Sequence, residues 1–222
     1  MIAEDLNNDK NKNLPEISFE YGKTINVIIQ SIRLACSPFR RAILQPNLAL
    51  PLNENKLTQI FVEQVEFQIK SQPSIGVKNQ YSDLFHGTKG IPDFYFHVVE
   101  EGATHEPLFV VESKRLPSPN FEKEYVIGEN RNGGIERFKI EKHGKGLLKC
   151  GILGFIEQFN YGYWLETINS WILELSTTDI FWGKDEMLIG EIASPDFFYS
   201  TSAANRFSLP KVFLHHFWVS LI

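Results

Sequence analysis

Gly90-Ile-Pro-Asp-Phe-Tyr-Phe-His-Val-Val-Glu-Glu-Gly-Ala-Thr-His-Glu-Pro-Leu-Phe-Val-Val-Glu-Ser-Lys-Arg-Leu116 is the stretch around which the chain is organised. It holds two apolar runs rich in β-branched and aromatic residues, Phe94 to Val99 and Leu108 to Val111. A polar, Gly-containing connection joins them, which predicts a hairpin. Charged residues stand where a core strand normally avoids them. Asp93 opens the first run, and Glu112 and Lys114 close the second. Side chains two apart on a strand share a face, so Glu112 and Lys114 lie roughly 6–7 Å apart on one side. A hairpin centred on Gly102–Ala103 sets Asp93 opposite Glu112. Two carboxylates and an ammonium then meet at the end of a sheet. Carboxylates this close repel and raise each other's pKa unless a cation lies between them. A hard divalent ion with oxygen ligands is the usual solution, and Mg²⁺ takes one or two carboxylates plus water and substrate phosphate.

The helix before this hairpin adds a third carboxylate. Asn53-Glu-Asn-Lys-Leu-Thr-Gln-Ile-Phe-Val-Glu-Gln-Val-Glu66 continues to about Ile69 or Lys70, with Asn53 as the N-cap. At 100° per residue, Leu57, Phe61, Val65 and Ile69 form its apolar face. Glu54 falls on that face, while Glu63 and Glu66 fall on the water side. A simpler role for Glu54 is to complement the helix dipole.

Pro92-Asp93 followed by Glu112-Ser113-Lys114 resembles the PD-(D/E)XK nuclease superfamily, the restriction-endonuclease-like fold. The Asn-Glu-x-x-Leu-Thr opening is similar to the first helix of many of its members, whose Glu joins the metal site. The resemblance implies an α/β fold, αβββαβ, with a central mixed sheet of four to five strands flanked by helices. It also implies Mg²⁺-dependent hydrolysis of phosphodiester bonds in DNA, with RNA open and Mn²⁺ able to substitute. Asp93, Glu112 and Glu54 would be catalytic metal ligands, with the Ser113 carbonyl as a further one. Lys114 would stabilise the developing charge or position the attacking water. Alanine at Asp93, Glu112 or Lys114 is then expected to abolish cleavage and leave the fold intact. The alternative is a catalytically silent nucleic-acid- or protein-binding subunit of a larger defence or DNA-processing complex. A third reading makes the motif accidental and the carboxylates ordinary strand-end residues.

The bulk properties are compatible with these readings. The chain has 222 residues, 43% of them hydrophobic, with 18 Phe, enough for a single well-filled core. We expect an arm over 1–15 without fixed structure and one domain over 16–222. An accessory helix over about 24–36 should stop before Pro38. No apolar run is long enough to cross a bilayer and no signal-peptide core opens the chain, so a cytoplasmic protein without a membrane partner is expected. Cys36 and Cys150 form no metal spacing. A net charge of −5 argues against non-specific coating of nucleic acid, though not against a nuclease. A homodimer or a partner subunit that delivers nucleic acid fits this balance.

Residues 131–149 run against the acidic trend, with a net charge of +4. Arg131, Lys145 and Lys149, with Arg115 beside the site, are the candidates for gripping the phosphate backbone. Gly144 and Gly146 bracket Lys145 at an expected helix start, where free N–H groups receive phosphate. A solvated helix face is the plainer role for this segment. Residues 120–134 are expected to form a polar flap over substrate. Residues 135–176 read as two helices, the first ending at Phe159 and the second covering Trp164 to Leu175. Gln158 would approach the site from the first. Val77 to Tyr81 and Met187 to Ile192 read as short strands, the latter an edge. Phe207 to Ile222 reads as a terminal strand. His86, His97, His105 and His143 lack metal spacing, and His215 and His216 should point to opposite faces of their strand. No nucleophile elbow, phosphate loop or dinucleotide fingerprint is present.

Overall fold

The computed structural model describes residues 14–222, with side chains from Tyr21 onward. Most of the expected N-terminal arm therefore lies outside the described residues. The elements run α1 (Leu14–Ala42), α2 (Glu54–Ile69), β1 (Ile75–Asn79), β2 (Phe94–Val98), β3 (Phe109–Leu116), α3 (Gly134–Lys139), β4 (Lys149–Ile156), α4 (Tyr161–Thr178), β5 (Ile189–Ala193), β6 (Phe197–Ala204) and β7 (Val212–Ser220). The class is α/β, as expected. The sheet, however, has seven strands rather than four to five, in the order β1-β2-β3-β4-β7-β6-β5. The β3–β4 and β4–β7 pairs are parallel and the others antiparallel.

Each sheet face carries its own core. Helices α1 and α2 cover one, where Phe39, Phe61, Phe94, Phe96, Phe109 and Phe155 are fully buried. Phe39 packs edge-on to Phe61 at 5.4 Å and lies 5.5 Å from Phe155. The other face is covered by α3, α4 and the segment before α3, with Tyr125, Phe138, Ile168 and Trp218 inside. No helix among the described residues is long and apolar enough to cross a membrane.

Three expectations fail for identifiable reasons. Helix α1 does not stop before Pro38 but passes through it to Ala42. A proline inside a helix costs about 3 kcal/mol. The turn beyond it is held by buried Phe39 and by Arg40, which donates to Pro195 O at 3.1 Å, Asp196 Oδ1 at 3.1 Å and Ile222 O at 3.0 Å. Residues Lys149–Ile156 form strand β4, not a helix. Seven of its eight residues are buried, so it shows no polar alternation and its apolar run mimics a helix stripe. Its glycines admit neighbours: a Cβ at Gly154 would lie 2.4 Å from Trp218 Cδ1. Residues 120–134 are not a flap, because Tyr125 and Val126 are buried in the second core.

Strand β7 completes the sheet but lies inside it, between β4 and the unexpected β6. Its two histidines point to opposite faces, as period 2 requires. His215 Nδ1 meets Tyr199 Oη at 2.7 Å on the α1 side. His216 sits in a chain on the other: Trp218 Nε1 donates to Tyr125 Oη at 2.8 Å, Tyr125 Oη meets His216 Nδ1 at 2.8 Å, and Ser202 Oγ meets His216 Nε2 at 2.9 Å. Burial pushes the His216 pKa down to about 3. The unfolded ring titrates near 6.5, so the unfolded chain takes up this proton first as pH falls. This contribution to stability is complete above pH 6.5 and is lost towards pH 3. Between pH 7 and pH 5 it amounts to about 2 kcal/mol. Urea unfolding of wild type and His216→Gln at both pH values isolates it: the loss between the two should be smaller in the variant by that amount. Equal losses would show that the ring is not held neutral.

Candidate active site

The hairpin has the register that the sequence implied. Phe94 pairs with Val111, Tyr95 with Val110 and Phe96 with Phe109, so the centre falls between Gly102 and Ala103. One step beyond, Asp93 meets the β3 backbone, and Ser113 N donates to Asp93 Oδ2 at 2.6 Å. Glu112 and Lys114 point away from Phe109 and Val111, into the α3 side. They are 1% and 3% exposed, deeper than strand-end charges usually lie. Lys114 Nζ donates to Glu112 Oε1 at 2.7 Å and to the Ser113 carbonyl at 2.9 Å. It also lies 3.7 Å from Glu54 Oε1.

Glu54 arrives from the first turn of α2, which Asn53 caps by accepting from Lys56 N at 3.0 Å. Glu54 Oε2 accepts from Arg115 N at 3.2 Å. Leu57, Phe61, Val65 and Ile69 are buried as expected, and Glu63 and Glu66 are exposed. The structure thus gathers Glu54, Asp93, Glu112 and Lys114 at one place.

Two further residues join them. The Arg137 guanidinium donates to Glu112 Oε1, and His143 Nδ1 lies 3.1 Å from Glu112 Oε2. Arg137 belongs to the basic segment, whose charge excess was its only sequence signal. Helix α3 delivers it, and Gly134 brings that helix close: a Cβ there would sit 3.4 Å from Lys114 Cγ. His143 is placed by Gly90, where a Cβ would fall 2.1 Å from Lys142 O and 2.4 Å from His143 Cδ2. Gly90→Ala should therefore push the 142–143 backbone away from Glu112 and destabilise the fold by about 1–3 kcal/mol, measured by denaturant unfolding. An unchanged midpoint would show that this packing relaxes freely.

The electrostatics divide the two facing carboxylates. Burial raises the Asp93 pKa, and the Glu112 charge raises it further, to about 8, against the opposing pull of Lys114. Burial acts upward on Glu112 too, but Lys114, His143 and Arg137 together hold it well below the usual range. Burial acts downward on Lys114, but Glu112, Glu54 and Asp93 outweigh it and keep the ammonium charged. Burial pushes Glu54 up.

Does this set fit a divalent cation? No group of three or more His, Cys, Asp or Glu is gathered as ligands among the described residues. The donors are nevertheless hard oxygens, and Glu112 Oε2 is buried with only His143 Nδ1 beside it, 3.1 Å away and without a well-formed hydrogen bond. A cation beside Asp93 and Glu112 would offset the repulsion that adds to the effect of burial on Asp93. The chemistry of the set fits.

The expected backbone grip is not assembled here. Arg115 is paired with Glu157, Nε to Oε1 at 2.5 Å and Nη2 to Oε2 at 2.6 Å. Arg131 lies over Phe207, 5.9 Å from the ring centre. Lys149 opens β4 five residues before Gly154, the partner of Lys114, about 16 Å along the strand. Lys145 lines a shallow depression with Gly90, Pro92 and His143. No helix starts there, because α3 has ended at Lys139 and β4 begins at Lys149. Gln158 is exposed in the connection between β4 and α4. In comparisons with family models, curated proteins and solved structures, nothing matches the chain.

Proposed function

We propose that this chain is a metal-dependent nuclease that hydrolyses phosphodiester bonds in DNA, of the PD-(D/E)XK kind. The observation that carries the reading is the meeting of Glu54, Asp93, Glu112 and Lys114 from three separate elements. The chain order supports it: helix α2, the meander β1-β2-β3, then β4 parallel beside β3. These elements correspond to the αβββαβ order with further strands added beyond β4.

In this reading Asp93 and Glu112 hold Mg²⁺, with Glu54 and the Ser113 carbonyl beside them. The bound ion supplies Lewis acidity and lowers the pKa of water. Lys114 is kept protonated by its three carboxylates, which suits it to stabilise negative charge on a phosphoryl oxygen rather than to act as a base. Arg137 and His143 hold Glu112 in its ionised form and fixed in position.

A cleavage assay on plasmid and linear DNA with Mg²⁺, Mn²⁺ or EDTA tests this, with Asp93→Asn as the control. Cutting is expected with either metal and neither with EDTA nor in the variant. Absence of cutting on every DNA and RNA substrate would overturn the nuclease reading. One observation favours a second reading, a catalytically silent binding subunit: Lys114 and Arg137 already neutralise Glu112. Calorimetry separates the two, since such a subunit has no need to bind Mg²⁺.

A further inference from the structure

A cleft of about 470 Å³ opens on β1 and β2 beside the candidate site. Tyr95 and His97 alternate with Phe94 and Phe96, which are buried under the α1–α2 layer, so they project from the face that also carries Glu112 and Lys114. Tyr95 is flanked by two rings, Tyr81 at 4.9 Å and His97 at 5.6 Å. His97 Nδ1 donates to the Val98 carbonyl at 2.8 Å, which holds the ring in place. Its ring lies against β1 where Gly76 leaves room, since a Cβ there would be 2.7 Å from Nε2.

The cleft is tied to the site through the two residues that follow β1. Gln80 N donates to the Asp93 carbonyl at 2.7 Å, and Tyr81 N to the Pro92 carbonyl at 3.3 Å. Gln80 lines both this cleft and a smaller pocket of about 150 Å³ that contains Asp93. It has φ of 53°, a left-handed conformation that a glutamine rarely adopts. The volume lies in the range of small-molecule sites. The walls combine aromatic faces with the Gln80 amide and the His97 ring. Glu100 in the lining is paired with His105, 3.1 Å away. Such a surface suits a flat ring with polar edges.

We infer that this cleft is a nucleobase subsite, in which the base of a nucleotide next to the cleaved bond packs against Tyr95. The inference rests on the nuclease reading and extends it to a substrate class, polynucleotide with unpaired bases. A base in a duplex is stacked on both faces and cannot enter, whereas a single strand offers its π-face to aromatic side chains.

The test uses a ten-nucleotide oligodeoxynucleotide carrying 2-aminopurine, with EDTA present so that nothing is cut. Anisotropy reads affinity and 2-aminopurine fluorescence reads stacking. Wild type should bind the single strand tighter than its duplex and quench the probe. Tyr95→Ala should weaken binding about 10- to 100-fold and abolish quenching, while Tyr95→Phe should retain both. If Tyr95→Ala fails to fold by circular dichroism, His97→Ala serves in its place, with weaker binding and reduced quenching expected. Unchanged affinity and quenching in the folded variant would overturn the subsite and leave the nuclease reading standing. Absence of both oligonucleotide binding and metal-dependent cleavage would remove the nuclease reading, and the subsite with it.

Discussion

Lys114→Met is expected to lower Mg²⁺-dependent cleavage by about 100- to 1,000-fold, the loss usual when a charge-stabilising donor is taken from a reacting centre. The same change should destabilise the fold. The ammonium is 3% exposed and lies between Glu112, Glu54 and Asp93. Without it, Glu112 keeps Arg137 and His143, but Asp93 and Glu54 keep only one backbone N–H each, from Ser113 and Arg115, against burial and like charges. Removing one member of a buried charge cluster costs about 3–5 kcal/mol. The sequence alone suggested a substitution that leaves the fold intact, whereas the burial argues for a cost to stability. Divalent metal should stabilise the variant more than wild type, because the competing cation is gone. A melting titration with Mg²⁺, read beside single-turnover cleavage at a temperature where the variant is folded, checks both. Full activity would exclude Lys114 from the chemistry, and an equal metal response would exclude it from competition for the carboxylates.

Glu112→Gln should be the most destabilising near-isosteric change in the site. It removes the charge shared by Lys114 and Arg137 and leaves the buried ammonium facing a half-buried Glu54 at 3.7 Å. About 3–5 kcal/mol is expected in urea unfolding, a large fraction of the 5–15 kcal/mol that holds a typical domain. Cleavage should disappear as well. A loss below about 1 kcal/mol would mean that Lys114 turns to Glu54 and Asp93 at little cost, and that Glu112 is not the centre of the cluster.

Much of the site was legible because its residues are placed by local periodicity. The hairpin centre follows from two apolar runs of strand composition about one turn. The Glu54 face follows from the 3.6-residue stripe of α2. Both rules operate within short segments, so the sequence alone set Asp93 against Glu112 and turned Glu54 inward. The depth of the site was not legible. Nothing local states that Glu112 and Lys114 are nearly inaccessible, because their burial comes from α3 and the segment before it packing on β3. Arg137 and His143 were missed for the same reason: they reach Glu112 from 25 and 31 positions away. The chain shows only that their segment is basic.

The strand errors have a related origin. Alternation reveals a strand when one face meets water, and β4 meets protein on both. Strand β6 is recognisable once β7 pairs with it along its length, from Phe197 with Val219 to Ala204 with Val212. By itself, then, the sequence determined an α/β chain, a charged hairpin and a helix carrying a third carboxylate, because backbone period fixes which side chains share a face. Only the tertiary structure decided that the sheet has seven strands and that Glu112 is held by three basic side chains. It alone also set an aromatic cleft beside Asp93, because burial and charge pairing depend on which segments, distant in the chain, pack together.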